Sequence, residues 1–220
     1  MKCNYVIGRL GAGNGNGMAT IVIGNREELD AQKLTSMYDF RHEVFVRRLG
    51  WSLPMRDEVE CDNYDSPAAT YFLVCNENKR VTACARLIHT TISYMLPDLF
   101  PQLLGETPAP RDPAIWELSR FAVDVHETSD RRVLALSKLT LALLSSVVDF
   151  ARSRSATRLT MVTSVAIERL MLRERIQIHR IAPPALIGGT HCIALFMEVR
   201  ASDFTSPVRS ILESAPLLSI

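Results

Sequence analysis

An apolar stretch with two charges at its centre places the strongest constraint on the fold of this chain. Residues 114–125 read AIWELSRFAVDV, and a run so rich in β-branched and aromatic side chains predicts a buried strand. Glu117 and Arg120 lie in its middle, where a charge is costly unless it is paired or used. Strict alternation places the two on opposite faces of a sheet. They are therefore either members of structural ion pairs or parts of one cleft, reached through a β-bulge.

Length and composition exclude several classes of protein. A chain of 220 residues that is 47% hydrophobic and 22% charged is typical of one globular domain with a sizeable core. Its net charge of +1 argues against a general nucleic-acid binder. The cysteines form no C-x-x-C pair, which indicates free thiols of a reducing cytoplasm and no zinc site. No apolar run reaches the roughly 18–20 residues that span a bilayer, and no secretory h-region is present.

The periodicity of the chain predicts alternating strands and helices. Residues 1–17 end in GAGNGNG, which fits no phosphate-loop pattern and predicts a flexible glycine-rich leader before a single domain over residues 18–220. The predicted strands are 19–23, 70–75, 81–88, 114–125, 159–163 and 191–199, and the predicted helices are 27–48, 130–154 and 165–175, with a short helical piece near 96–104. This order predicts an α/β domain, a three-layer αβα sandwich with a mixed sheet.

Other charges also conflict with their surroundings. Arg41 lies on the apolar stripe of the first predicted helix, either as a snorkelling side chain or turned into a polar site. Arg86 shares a strand face with the small Thr82 and Cys84, which leave room for a guanidinium. The acidic segment 51–67 lacks periodicity, and loops of this length in a compact domain are usually functional or mobile. For most of its carboxylates, a solvated surface loop is the simpler interpretation.

These positions form one spaced pattern, R-x3-F-x5-W-x10-D-x2-D-x20-R followed by E-L-S-R. Its members are Arg41, Phe45, Trp51, Asp62, Asp65, Arg86, Glu117 and Arg120. With all eight positions present, the chain resembles the acyl-homoserine lactone synthases, the LuxI-type autoinducer synthases of bacterial quorum sensing. The resemblance runs from about Ala19 to about Val199, and the glycine-rich leader is its main departure.

The resemblance implies a fold related to the N-acetyltransferases and a reaction in two steps. The amine of S-adenosylmethionine attacks an acyl thioester, usually on acyl carrier protein. The methionine carboxylate then displaces methylthioadenosine and closes a lactone. S-adenosylmethionine is a substrate here, so neither a resident cofactor nor a metal is expected, and the enzyme is expected in the cytoplasm.

The side chains of the pattern suit these substrates. Phe45 and Trp51 offer aromatic faces to the sulfonium cation. Asp62 and Asp65 can attract the ammonium and the sulfonium. A guanidinium can hold the carboxylate through a bidentate fork, for which the candidates are Arg41, Arg86 and Arg120.

Glu117 is the candidate general base, because it is the carboxylate at the centre of the predicted core strand 114–125 and the attacking amine must be neutral. It would act with Arg120 beside it, directly or through one water, while a backbone N–H near the central strand supports the thioester oxyanion. The alternative is that Glu117 only orients Arg41 or Arg120, because buried ion networks resemble catalytic sites.

Two further sets of residues are assigned to the acyl donor. Candidates for an acyl-chain pocket, which are core-forming residues by default, are Met161, Thr163, Ala166 and Leu170. A basic dock for the acidic acyl carrier protein, or simply an ordinary helix surface, is expected at Arg152, Arg154 and Arg173.

Two other functions compete with this interpretation. An acyl-CoA-dependent N-acyltransferase of the same broad fold would bind pyrophosphate with a glycine-rich turn after the central strand. Residues 124–130 contain no glycine, which counts against coenzyme A bound in that manner. A non-catalytic binding module leaves unexplained why so many charges fall in strands and on an apolar helix face.

Overall fold

A mixed sheet of nine strands forms the centre of the protein, and the computed structural model describes residues 5–11, 18–51, 59–124 and 137–199. The strands are β1 (Tyr5–Gly11), β2 (Met18–Gly24), β3 (Thr70–Cys75), β4 (Val81–His89), β5 (Ile115–Val123), β6 (Arg158–Ser164), β7 (Ile178–Arg180), β8 (Ala185–Ile187) and β9 (Thr190–Glu198). Their order is β1-β2-β3-β4-β5-β6-β9-β7, with β8 also paired to β9. The pair β5–β6 is parallel and the other described pairs are antiparallel.

Helices cover both faces of this sheet. On one face lie α1 (Ala31–Arg41), the π-helix that continues it (His42–Arg48), α2 (Met95–Leu99) and a 3₁₀ turn (Pro101–Leu103). On the other lie α3 (Lys138–Ser153) and α4 (Val165–Arg173). The longer helices begin at side-chain caps, since Asp30, Ser137 and Ser164 each accept a backbone N–H from the first turn. The predicted three-layer arrangement is confirmed.

Each face of the sheet buries its own apolar cluster. Leu143 and Val147 of α3 pack with Phe72 and Leu195 on one side. On the other side, the residues of α1 and α2 pack against alternate strand positions such as Leu73. The alternation of side chains along each strand thus supplies both clusters from one sheet.

Strand β5 carries the bulge that its two charges require. Arg120 and Phe121 together lie opposite the single residue Ala85 of β4. Arg120 has a φ of 51°, the left-handed conformation that the first residue of one type of bulge adopts. The extra residue returns Arg120 to the face that carries Glu117, whereas Phe121 packs on the α3 side. The structure therefore has the bulge and places both charges on one face, where Arg120 is also a member of buried ion pairs.

The parallel pairing of β5 and β6 is short. It runs from Ile115–Arg158 to Glu117–Thr160, although β5 continues to Val123 and β6 to Ser164. Within the described parts of the chain, the β5 edge beyond Glu117 has no ladder partner in β6. The sheet is therefore interrupted directly beside Glu117 and Arg120.

The structure differs from the sequence prediction near both ends of the domain. Tyr5–Gly11, inside the predicted flexible leader, form β1 and pair with β2, so the edge of β2 is covered. The short strands β7 and β8 were not predicted, because three residues are too few to show a period.

Predictions for residues 1–4, 12–17, 52–58, 125–136 and 200–220 lie outside the described residues. None of the described helices combines the length and apolarity needed to cross a bilayer.

Candidate active site

Three arginines and three carboxylates form a buried network between the sheet and α1. Arg41 ends α1, Arg86 lies on β4 and Arg120 on β5. The carboxylates belong to Glu60, Asp62 and Asp65, in the segment before β3. Each of these six side chains is at most 5% exposed. Because an unpaired buried charge is strongly unfavourable, the network must be mutually satisfied to exist.

The acidic segment holds itself in place through its own backbone. The N–H of Asp62 donates to Asp65 Oδ2 at 2.9 Å, and the N–H of Tyr64 donates to Asp62 Oδ1 at 2.9 Å. The hydroxyl of Tyr71, on β3, donates to Asp65 Oδ1 at 3.0 Å. These bonds orient two carboxylates toward the sheet independently of the arginines.

Arg41 is fully engaged by carboxylates. Its Nη1 and Nη2 donate to the two oxygens of Asp65 at 2.8 and 3.0 Å, and its Nε donates to Glu60. Burial lowers the pKa of Arg41, but the charges and hydrogen bonds of Asp65 and Glu60 outweigh it and raise the pKa well above its usual value. Its side chain is only 1% exposed, so the snorkelling interpretation is wrong.

Arg86 joins both aspartates to β5. Its Nη1 donates to Asp62 Oδ1 at 2.6 Å and to Asp65 Oδ1 at 2.9 Å, while Nη2 donates to Asp62 Oδ2 at 3.1 Å. Its Nε donates to Ser119 Oγ at 3.1 Å. Burial raises the pKa of Asp65, yet Arg41 and Arg86 reverse this and hold that pKa far below its usual value.

Arg120 links Glu60 and Asp62 to the ring of Phe45. Its Nε and Nη2 reach Glu60 Oε1 at 3.1 and 2.9 Å, and Nη2 also lies 2.7 Å from Asp62 Oδ2. Its guanidinium carbon lies 5.5 Å from the centre of the Phe45 ring, a cation–π distance. Burial lowers the pKa of Arg120, with Glu60 and Asp62 opposing that effect.

Phe45 and Trp51 form an aromatic shelf at the edge of this network. Their rings stack with centroids 5.0 Å apart and an interplanar angle of 22°. Phe45 is buried on the π-helix, a rare helix type that is frequent at functional sites. Gly50 turns the chain back with a φ of 66°, and Trp51 N–H donates to Phe45 O at 2.9 Å. Trp51 remains 47% exposed, so the shelf has an accessible face.

Among the described residues, the hydrogen bonds of Glu117 come from backbone amides and not from an arginine. Its two oxygens accept the N–H groups of Met95 at 3.0 Å and Leu96 at 2.8 Å, at the start of α2. Burial raises the pKa of Glu117 to about 7, although these hydrogen bonds and the charges of Arg86 and Arg120 act in the opposite direction. Within the described residues, Glu117 interacts with Arg86 and Arg120 through charge and has no hydrogen bond to either, so its two interpretations, base or partner of an arginine, both stay predictions. A carboxyl with this pKa can exchange a proton near neutral pH.

Met95 connects Glu117 to the arginines. Its Sδ accepts hydrogen bonds from Arg86 Nη2 at 3.0 Å and Arg120 Nη1 at 3.5 Å. Its backbone N–H is one of the two that hold Glu117. The site thus extends from the aromatic shelf through the arginines to Glu117.

The structure brings together all eight members of the sequence pattern and adds others that the sequence did not single out. The sequence interpretation of most of the acidic segment as a solvated surface loop is wrong for Glu60. Its side chain is 0% exposed and pairs with two arginines. Its spacing to the two aspartates, E-x-D-x2-D, was the available signal. Met95, Ser119 and Tyr71 carried no such signal, because each is an ordinary core or strand residue by type.

The residues assigned to the acyl donor lie around β6 and the helices of the opposite layer. Met161 is buried in the core, Thr163 and Leu170 are half-buried, and Ala166 is exposed. Among the expected docking residues, Arg152 pairs with Asp149 at 2.6 Å and Arg154 lies over the Phe150 ring at 4.9 Å. Arg173 is exposed in the last turn of α4. These placements leave both assignments as predictions.

The fold is that of a three-layer α/β protein whose mixed sheet is interrupted beside the buried network. The solved structure of a Lactobacillus plantarum protein described as an N-acetyltransferase shares this fold, with a TM-score of 0.58 at 15% identity over 83% of this chain and 99% of that one. A closer likeness is to the AHL synthase LasI, with a TM-score of 0.74 at 33% identity over 92% of this chain and 98% of that one. The solved structure of TofI in complex with an inhibitor and MTA has a TM-score of 0.71. It is 32% identical and covers 88% of this chain and 96% of that one.

Sequence comparison identifies the family within this class. The autoinducer synthase family model matches residues 25–206. The acyl-homoserine-lactone synthase of Aliivibrio fischeri strain ES114 is 38% identical over 173 residues, covering 78% of this chain and 89% of the relative. The chain therefore belongs to the autoinducer synthase family, whose members are acyltransferases, and the family and fold expected from the eight-residue pattern are confirmed.

Proposed function

We propose that this protein makes an acyl-homoserine lactone from S-adenosylmethionine and an acyl thioester. The observation that carries the proposal is the juxtaposition of three elements: the aromatic shelf, the buried arginine–carboxylate network and Glu117. S-adenosylmethionine has a sulfonium, an amine and a carboxylate within a few bonds of each other. The site offers a complementary group for each within one cleft.

The charge of the site suits a cationic ligand. With Glu117 ionised, three guanidinium groups face four carboxylates, which leaves one negative charge in excess. S-adenosylmethionine with a protonated amine carries one net positive charge. Its sulfonium can lie against the exposed face of Trp51, a contact of about 0.5–2 kcal/mol.

The first chemical step is acyl transfer to nitrogen. Glu117 accepts the proton of the substrate ammonium, and the amine nitrogen attacks the thioester carbonyl carbon. A C–N bond forms, the C–S bond breaks, and the thiol leaves with a proton. The backbone edge of β5 beyond Glu117, which has no ladder partner among the described residues of β6, supplies N–H groups for the oxyanion.

The second step is lactone closure. A carboxylate oxygen attacks the methylene carbon bound to the sulfonium, a C–O bond forms and the C–S bond breaks. The electron pair of that bond neutralises the sulfonium, so methylthioadenosine leaves as a neutral thioether. The site has to hold the chain folded, so that a carboxylate oxygen lies behind the methylene carbon and in line with the C–S bond that breaks.

Acyl carrier protein is the proposed acyl donor and partner. The exposed arginines at the ends of α3 and α4 suit its acidic surface, and the β6–α4 junction around Met161, Thr163, Ala166 and Leu170 would take the acyl chain. A coenzyme A donor is the alternative. Comparing kcat/KM for the same acyl group on the two carriers decides between them, and Arg173→Glu should impair only the carrier-protein reaction.

The enzyme is proposed to act in the cytoplasm, in line with the free thiols of Cys61, Cys75, Cys84 and Cys192.

Two measurements test the proposed function as a whole. Methylthioadenosine, which the site should bind without turnover, is expected to raise the melting temperature of the protein, because a ligand that binds only the folded state stabilises it. Mass spectrometry of purified enzyme with S-adenosylmethionine and an acyl thioester should detect the lactone and methylthioadenosine in equal amounts. Absence of both binding and product would refute the proposal.

A further inference from the structure

Glu117 is held by the first turn of α2, a helix too short to fix its own position. The helix has five residues, and its N-cap residue, Tyr94, makes no side-chain hydrogen bond to the first turn. Helices shorter than about 12–15 residues are marginal in isolation, so the position of α2 depends on its tertiary contacts. The N–H groups of Met95 and Leu96 donate to the two oxygens of Glu117. The geometry around Glu117 is therefore only as firm as the contacts that fix α2.

The side chain of Tyr94 supplies one such contact. It is 0% exposed, and its hydroxyl donates to the backbone carbonyl of Pro110 at 2.6 Å, a hydrogen bond that we call the Tyr94 tether. Pro110 lies in the connection that leads into β5. This connection is itself fixed, because the hydroxyl of Thr90 accepts the N–H of Asp112 at 3.2 Å and donates to the carbonyl of Ile115 at 2.8 Å. The tether thus joins the start of α2 to the start of β5.

We propose that Tyr94 is a positioning residue of the active site, whose tether keeps the first amides of α2 on the carboxyl group of Glu117. Apolar packing of Tyr94 and Leu96 also holds α2 against the sheet, but such packing is non-directional. A hydrogen bond is directional, so the tether fixes the residue directly before the two donors. The role of Tyr94 toward Glu117 follows from these contacts, whereas its effect on the rate rests on the proposed function.

The protonation of Glu117 reports on these amides. Hydrogen bonds from N–H groups favour the ionised form of a carboxyl group. The other groups that face Glu117 are Arg86 of β4, Arg120 of β5, and the phenols of Tyr64 and Tyr94. Arginines keep their charge, and burial raises the pKa of both tyrosines to about 12, so all four stay as they are between about pH 5 and pH 9. Weaker amide bonds should therefore raise the pKa of Glu117 against an unchanged background of charge.

The test is Tyr94→Phe, which removes the hydroxyl and keeps the ring. Single-turnover acylation by the whole protein, with saturating S-adenosylmethionine, is measured from about pH 5 to about pH 9. Near pH 6 the rate should fall by about 3- to 10-fold, the change expected when the pKa of the base rises by about half a unit to one unit. Near pH 9, where the carboxyl group is ionised in both proteins, the two rates should agree.

An infrared titration measures the same group without any substrate. The C=O stretch of protonated Glu117 is assigned by subtracting the spectrum of Glu117→Gln, and its midpoint should be higher in Tyr94→Phe than in the wild type. Tyr38→Phe is the matched control, because the buried Tyr38 hydroxyl has no hydrogen-bond partner in the described structure, and its midpoint should equal that of the wild type. Thr90→Val loosens the connection that holds the tether, and should shift the midpoint in the same direction as Tyr94→Phe.

Two results would overturn the role of Tyr94. An infrared midpoint that stays unchanged in Tyr94→Phe would show that packing alone holds α2 and that the hydroxyl contributes only stability. An equal shift in Tyr38→Phe would show that the loss of any buried hydroxyl has this effect. Should Tyr94→Phe fail to fold, an unchanged midpoint in Thr90→Val overturns the role instead.

The infrared titration also separates this inference from the proposed function. If the midpoint shifts and the acylation profile does not, Tyr94 positions α2 as inferred and the assignment of Glu117 as base is wrong. If the wild-type protein makes no lactone, the proposed function is wrong, and the infrared midpoints still decide the role of Tyr94.

Discussion

Glu117→Gln is the substitution that should separate the chemical step from binding. Glutamine has the shape of glutamate but neither its charge nor its basicity. If Glu117 takes the proton of the amine, the rate of acylation should fall by about 10²–10⁴-fold, the usual range for loss of a general base. The affinity for S-adenosylmethionine should change far less, because Glu117 bonds Met95 and Leu96 and not the arginines.

The structure also sets the expected change in stability. Each oxygen of Glu117 accepts one backbone N–H, so glutamine leaves one of these amides without an acceptor, at a cost of roughly 1–3 kcal/mol. Opposing this, a pKa raised from 4.5 to about 7 means that ionising the buried carboxyl costs the folded state about 3 kcal/mol above neutral pH. At pH 8, the cost of the unpaired amide and the removed cost of ionisation nearly cancel. We therefore expect the free energy of unfolding to change by less than about 2 kcal/mol.

The pH dependence gives an independent check with a definite sign. Because the folded-state pKa of Glu117 is raised, its contribution to stability is complete below about pH 4.5 and is lost as the pH rises toward 7. The acylation rate should rise over the upper part of that range as the carboxylate forms, and the Gln variant should lack this rise. Single-turnover acylation and thermal unfolding across pH 5–9 measure both. A folded variant that acylates at nearly the wild-type rate would refute the role of Glu117 as base.

Other side chains of the site and the core give three further predictions. Trp51→Ala should weaken S-adenosylmethionine binding by about 0.5–2 kcal/mol without a matching loss for the acyl donor, and equal losses in separate titrations would contradict the sulfonium contact. Thr160→Val should stabilise the protein to urea by about 1 kcal/mol, because the buried Thr160 hydroxyl has no hydrogen-bond partner in the described structure. Thr90→Val is its control and should destabilise, since that hydroxyl donates its one proton to backbone carbonyls and accepts the N–H of Asp112; similar shifts would refute the reasoning. Glu60→Gln should destabilise by about 3–5 kcal/mol in urea unfolding, because two buried guanidiniums lose a counter-charge, and a shift below about 1 kcal/mol would show that the pairing is weak.

Much of the fold could be predicted from the sequence because its cause is local. A hydrophobic period of two residues predicts a strand and one of three to four residues predicts a helix, and both depend on side chains close together in the chain. The elements expected near their observed positions were therefore the strands β3 to β6 and β9 and the helices α1, α3 and α4. Buried charges such as Glu117 and Arg41 were visible as misfits with their apolar neighbours. That misfit, together with the spacing of the eight positions, was enough to indicate both the site and the family.

What the sequence alone could not decide depended on partners distant in the chain. The snorkelling and buried alternatives for Arg41 differ only in whether Glu60 and Asp65 reach it, from 19 and 24 residues away. The bulge at Arg120 exists only relative to β4, and the sequence offered it as one of two possibilities. Met95 looks like any core methionine until α2 places its sulfur against two arginines and its amide against Glu117. Hydrogen bonds and ion pairs act over a few ångströms in space, so their partners are settled only when packing brings those segments together.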